Sequence, residues 1–228
     1  MNRGEERSTI GVIFDLDGTL ADTLDDIVDS INHVYRQIGQ PSVPHETVRP
    51  FIGIGLVDLV RRTSGIDDTE TILGLVDQYR SVYTERMLRK TRLYAGMDSV
   101  LDLLTELDVP ACVLSNKPHE YTAPICESLL SRWPFVRCVG CAEQEKRKPD
   151  PAVAFELARE MGRDPSRVYL VGDSPIDIAT AHNAGMTSIA VTWGYGNQAE
   201  IRASKPACMV DRTGELITFF REACHTPG

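Results

Sequence analysis

Five short apolar runs, at residues 10–14, 111–114, 135–139, 168–171 and 188–191, constrain the fold more than any other feature of the chain. Runs this short and this apolar suit strands buried on both faces. Most are separated by patterns of helical period: Val100, Leu101, Leu104 and Leu107, then Ala154, Leu157, Ala158 and Met161, then Ile178, Ala181 and Ala184 before Gly185. Strand alternating with helix predicts an α/β protein whose Rossmann-like parallel sheet core is flanked by helices.

One segment breaks the alternation. Between the first and second runs the periodicity is helical throughout, which reads as an inserted α-helical cap domain at residues 22–90, with residues 1–21 and 91–228 forming the catalytic core. Thr23 and Asp26 have the spacing of a capping box, and Leu24, Ile27, Val28, Ile31, Val34, Tyr35 and Ile38 form one face before Gly39 and Pro41 end the helix. A second helix is predicted over residues 56–63. A third carries Ile72, Leu75, Val76, Tyr79, Val82 and Tyr83 on one face.

At 228 residues, the chain is long enough for one good-sized core plus such an insertion. Lys and Arg total 24 against 33 Asp and Glu, a net charge of −9 with no basic run, which argues against nucleic acid and anionic membrane as partners. Residues 1–9 are polar and lack the apolar stretch of a signal peptide. No segment approaches the ~18 apolar residues of a membrane span, so a cytoplasmic protein is expected. Six scattered cysteines are then expected as reduced thiols. Cys138 and Cys141 alone look paired, without a second pair to complete a zinc site, and read as two packed thiols.

Chemistry concentrates where strands end. Asp15-Leu16-Asp17-Gly18-Thr19 follows the first run, and carboxylates two residues apart on extended chain point to the same side. Desolvating such a pair is costly without a cation or shared proton. Gly172-Asp173-Ser174-Pro175-Ile176-Asp177 and Ser115-Asn116-Lys117 follow two other runs. Residues beyond the carboxyl ends of neighbouring parallel strands converge on one crevice. Lys148, in Lys-Pro-Asp-Pro, adds a cation on a stiffened approach. Carboxylates with one lysine match Mg²⁺ and a phosphoryl group.

These motifs resemble the four of the haloacid-dehalogenase-superfamily phosphatases, and within them the phosphoglycolate phosphatase group: Asp15 to Leu20 the first, Ser115 the second, Lys148 before Pro149 the third, Gly172-Asp173-Ser174 with Asp177 the fourth. The resemblance implies a Mg²⁺-dependent phosphatase acting on a small phosphorylated metabolite through an aspartyl-phosphate intermediate. It makes Asp15 the nucleophile and Asp17 the proton donor and acceptor. Mg²⁺ is then held by Asp15, the Asp17 backbone carbonyl and Asp173, with Asp177 either ligating or supporting a ligand. Ser115 and the amides around Asn116 hold phosphoryl oxygens, Gly18 lets the backbone pass close to the phosphate, and Thr19 either bonds the turn or touches it.

The segment Arg49-Pro50-Phe51-Ile52-Gly53-Ile54-Gly55 resembles the glycine-containing cap loop of that group, and Trp193-Gly194-Tyr195-Gly196 its loop after the fifth strand. Arg49 and Gly53 are therefore candidate substrate contacts, Arg49 offering a bidentate contact to a carboxylate such as that of phosphoglycolate. Cys141-Ala142 departs from the group, where an acidic or glycine residue is usual. Asp22, Asp25, Asp26 and Asp29 read as helix-start and exposed acids, Lys146 and Arg147 as solvated, and the five histidines as without ligand spacing. A dehalogenase would lack Asp17. A sugar phosphomutase of the beta-phosphoglucomutase kind, or a pyrophosphatase, would use the same scaffold and aspartates, and a non-catalytic binding protein would not need them intact.

Overall fold

A computed structural model describes residues 9–141 and 147–225. Ala142, Lys146 and the polar N-terminus before Thr9 lie outside the described residues, as does the His225 side chain. The strands are β1 (Gly11–Phe14), β2 (Ala21–Asp22), β3 (Arg92–Leu93), β4 (Ala111–Pro118), β5 (Phe135–Cys141), β6 (Val168–Gly172), β7 (Thr187–Val191) and β8 (Cys208–Val210). Six of them make a parallel sheet in the order β5-β4-β1-β6-β7-β8. The chain leaves β1 toward β4 on one side and returns to β6 on the other, so the order reverses beside β1 and opens a crevice there.

Register aligns the strand ends. Phe14 lies opposite both Val113 and Val171, so the residues that follow β1, β4 and β6 emerge side by side. All of β1 is buried, and its residues alternate between two clusters, because successive side chains of a strand point to opposite faces. Val12 and Phe14 share one with α5 (Met97–Glu106) and α10 (Thr213–His225), while Ile13 packs with α7 (Ala152–Glu160) and Ala181 of α8 (Pro175–Asn183). The sheet thus has helices on both faces, as its apolar runs predict.

Two strands run further than their apolar runs. β4 continues through Ser115, Asn116 and Lys117 to Pro118, which pairs with Cys141 across a register shift. This carries polar residues into the crevice on strand backbone. β8 is unannounced by the sequence, being three residues long at the sheet edge and only partly buried.

Between β2 and β3 stand α1 (Leu24–Gln37), α2 (His45–Val48), a 3-10 turn at Arg49–Phe51, α3 (Leu56–Ser64) and α4 (Thr69–Arg86). The buried face of α1, including Ile27, Ile31 and Tyr35, meets Ile72, Leu75, Val76 and Tyr79 of α4 in the same apolar cluster as the sheet. β2 and β3 pair antiparallel, Ala21 opposite Leu93 and Asp22 opposite Arg92.

The expected capping box does not form. Thr23 makes no cap bond to α1 and its hydroxyl donates instead to Asp17 Oδ1 at 2.7 Å. Asp26, expected to be an exposed helix-start acid, is buried and accepts from the backbone N–H groups of Lys90 and Thr91 and from Thr91 Oγ1, at 2.8–2.9 Å at Oδ2. A carboxylate that satisfies backbone donors in this way fastens the far end of the insertion to its first helix.

None of the six cysteines is in a disulfide among the described residues. Cys138 meets Cys126 of α6 (His119–Leu130), and that thiol contact holds Cys138 below its ordinary range. No helix among the described residues is long and apolar enough to cross a membrane.

Candidate active site

The strand ends deliver a buried ion network. Asp15 leaves β1 with its N–H bonded to Val171 O of β6 at 2.9 Å. Lys148 Nζ reaches Asp15 Oδ1 at 2.7 Å and Asp177 Oδ1 at 2.5 Å. Asp177, in the first turn of α8, accepts from Ser174 N and Oγ with its other oxygen, at 3.1 and 2.6 Å, so hydrogen bonds fix the orientation of its carboxylate. The Asp173 carboxylate is held from behind, Oδ2 accepting from the N–H of Tyr195 at 2.5 Å and of Gly196 at 3.3 Å.

Carboxylate oxygens of Asp15, Asp173 and Asp177 lie within 4.8 Å of one another, all three residues buried. Burial pushes the Asp15 carboxyl well above its ordinary value; Lys148 opposes this, and Asp177 and Asp173 reinforce it. Burial and repulsion from Asp177 bring Asp173 up to about 7. Burial pulls the Lys148 ammonium down, but attraction to Asp15 and Asp177 outweighs it and holds the group above its ordinary value. Three crowded carboxylates against one ammonium form an all-oxygen donor set with surplus negative charge, which fits a hard divalent cation.

Asp17 stands apart from that cluster. Lys117 Nζ lies 3.1 Å from both of its oxygens, and Thr23 adds its hydroxyl. Both oxygens of the Asp17 side chain are thus occupied by Lys117, and Oδ1 by Thr23 as well. Lys117 also sits 4.9 Å from the centre of the Tyr83 ring of α4.

Asp15, Asp17, Ser115, Asn116, Lys148, Asp173 and Asp177 line one cavity of about 670 Å³ with Arg49 and Gly53 of the insertion. Gly18 and Thr19 do not line it. Thr19 is fully buried behind Asp173, donating to its Oδ1 at 3.4 Å. Gly18 has φ +86° and a Cβ there would fall 2.3 Å from Asp173 Oδ2, so glycine is required by the carboxylate beside it.

The insertion closes on this cavity. The Asn116 amide donates to Gly53 O and Lys148 O, each at 3.1 Å, and accepts from Lys148 N at 3.0 Å. Its side chain therefore latches the lysine loop to the insertion, a contact the sequence did not suggest. The Arg49 guanidinium donates to Gly194 O. Arg147, expected to be solvated, stays exposed yet reaches Ile54 O at 3.5 Å.

Lys117, Thr23 and Tyr195 are the residues sequence reasoning left without a role here. Lys117 had a signal, since it stands two residues from Ser115 on extended chain and so faces the same side. The local signal at Thr23 pointed to a helix cap instead of Asp17, and the partners of the Tyr195 hydroxyl lie more than 170 residues away.

A doubly flanked parallel sheet places a buried carboxylate and lysine cluster at its switch point, the position of a ligand site in an open α/β sheet. A model of the haloacid dehalogenase-like hydrolase family matches residues 12–191, and the chain belongs to that family. A phosphoglycolate phosphatase of Pseudomonas syringae pv. tomato is 32% identical over 90% of this chain and 78% of its own length. One from Haemophilus influenzae is 30% identical over 90% of this chain and 95% of its own. The crystal structure of a predicted phosphoglycolate phosphatase from Haemophilus somnus superposes with a TM-score of 0.85 at 26% identity, covering 96% of this chain and all of that one, 100%. The chain is therefore an enzyme, a hydrolase with phosphoglycolate phosphatases among its relatives.

Proposed function

We propose that the chain hydrolyses a small, carboxylate-bearing phosphomonoester of the phosphoglycolate kind in two steps. An Asp15 oxygen bonds to phosphorus as the ester P–O bond breaks, and Asp17 gives its proton to the departing alkoxide. Asp17 then takes a proton from water, the resulting hydroxide bonds to phosphorus, and the Asp15–phosphorus bond breaks to release phosphate. Ser115 and the backbone at Asn116 bind phosphoryl oxygens, and Lys148 keeps a positive charge beside Asp15 throughout. Asp15, the Asp17 carbonyl, Asp173 and Asp177 are the residues that would hold Mg²⁺, which when bound offsets the charge of the phosphate. Residues 22–90 act as a cap on the core, and Arg49 receives the substrate carboxylate.

The observation that carries this reading is the Lys148 bridge between Asp15 and Asp177 in a buried cluster that opens onto a cavity also lined by Arg49. Phosphate release is to be screened over small phosphorylated metabolites with and without Mg²⁺, beside Asp15→Asn. Turnover by the wild type only with Mg²⁺, and a loss of at least about 10³-fold in the variant, is expected. Substantial phosphatase activity in Asp15→Asn would sink the mechanism.

A further inference from the structure

The first turn of α1 is not capped by Thr23, and its local side-chain contact is a long one, from Leu24 N to Asp22 Oδ1 at 3.4 Å. Thr23 precedes it with φ −110° and ψ −1°, outside the extended region usual for a cap, and its hydroxyl serves Asp17. The donors there are satisfied by a side chain 172 residues further along the chain. Tyr195 Oη accepts from Thr23 N at 2.7 Å and Leu24 N at 3.0 Å, and donates to Asp22 Oδ1 at 3.1 Å. A phenol oxygen has one proton and two lone pairs, so these three bonds use the hydroxyl fully, with Thr23 Oγ1 a further neighbour at 3.4 Å.

The backbone of the same residue does a second job. Its N–H, with that of Gly196, fixes Asp173 Oδ2. The segment is seated so closely that a Cβ on Gly194 would lie 2.3 Å from Asp173 Oδ2, and one on Gly196 2.0 Å from Asp173 O. Neighbours tighten it further: Trp193 Nε1 donates to Thr19 O at 3.2 Å, and Arg49 donates to Gly194 O. A shift of Asp22 to Leu24 therefore reaches the Asp173 carboxylate through one residue.

We propose that Tyr195 is a positioning residue that couples the point where the insertion leaves the core to the orientation of Asp173. Cation binding at Asp173 and order at the head of α1 then strengthen each other. The inference rests on the reading of Asp173 as a cation ligand. A tyrosine that merely filled space would cap α1 whether or not the cation were bound.

The test is amide hydrogen exchange on the full chain, with and without Mg²⁺, beside calorimetric Mg²⁺ titration. In the wild type, Mg²⁺ is expected to slow exchange at Thr23 and Leu24 by about three- to thirtyfold, the range a helix cap spans. Tyr195→Phe keeps the ring and both backbone donors. It is expected to speed exchange at these amides, to abolish their response to Mg²⁺, and to weaken Mg²⁺ binding by the factor lost from the exchange response, since coupling is reciprocal. Unchanged exchange in Tyr195→Phe, or Mg²⁺ binding to the wild type without any response at Thr23 and Leu24, would overturn the coupling alone. No Mg²⁺ binding to the wild type would overturn the cation reading of Asp173 together with it. The wild-type comparison decides the matter even if the variant fails to fold.

Discussion

Lys117 Nζ is equidistant, at 3.1 Å, from the two carboxylate oxygens of Asp17. The same ammonium lies over the Tyr83 ring, so a helix of the insertion, a strand of the sheet and the candidate proton carrier are in one line of contact. Lys117→Met is expected to lower kcat for alkyl phosphomonoesters by about ten- to hundredfold, with a smaller loss on 4-nitrophenyl phosphate, whose leaving group needs little protonation. Lys117→Arg should restore part of the activity. Steady-state kinetics on the two substrate types decide it, and equal losses would mean that Lys117 does not act through Asp17.

Arg49 crosses from the insertion to the core, donating to Gly194 O at the edge of the cavity. Arg49→Ala is expected to cost about 1.5–3 kcal/mol in kcat/KM for carboxylate-bearing phosphoesters and little for a neutral aryl phosphate. Parallel losses on both would assign the arginine to closure of the insertion alone.

Stability without metal should depend on pH through the crowded acids. Asp15 and Asp173 both bind protons more tightly folded than unfolded, Asp173 up to about 7 from an ordinary 3.8. Across that window the folded chain holds more protons, so its stability falls as pH rises. In chelator, Tm is expected to decline between about pH 5 and pH 7.5, Asp173→Asn to flatten that decline, and Mg²⁺ to reverse it at the upper end. Calorimetric melts across the series would reveal any opposite slope, which would contradict the surplus charge in the cluster.

Gly18 and Gly39 separate two demands on glycine. Both have positive φ, but a Cβ on Gly39 meets nothing within 4 Å, whereas one on Gly18 meets Asp173. Gly39→Ala is expected to cost about 1 kcal/mol from backbone strain alone. Gly18→Ala should cost about 1–3 kcal/mol more and weaken Mg²⁺ binding by displacing Asp173. Denaturant melts giving equal values for the two variants would show that the approach to Asp173 sets no limit.

The sequence discloses the sheet and its acids because both follow local rules. Each of Asp15, Ser115 and Asp173 stands just past an apolar run, and the run itself is the signal. What it conceals is which residues hold those groups. The Thr23 and Asp26 spacing is a sound local cap pattern, yet Tyr195 takes the cap donors, Asp17 takes the hydroxyl, and Lys90 and Thr91 take the acid. Tertiary partners won at each point because burial beside them leaves no water to compete. β8 escaped notice since three edge residues, only Val210 of them buried, carry too little pattern, and the contact of Cys138 with Cys126 joins a strand to a helix that no local spacing links.

The ribbon of β2 and β3 has a wider consequence. Its two residue pairs bring the departure and return of the intervening helices to adjacent points on the core. Ends so close together mean that the length of chain between them is free to change at little entropic expense, and without moving a single strand of the main sheet. Seen this way, the protein has a socket as well as an active site. The chain between them can lengthen or shorten while Asp15, Lys148 and Asp173 stay where the sheet puts them.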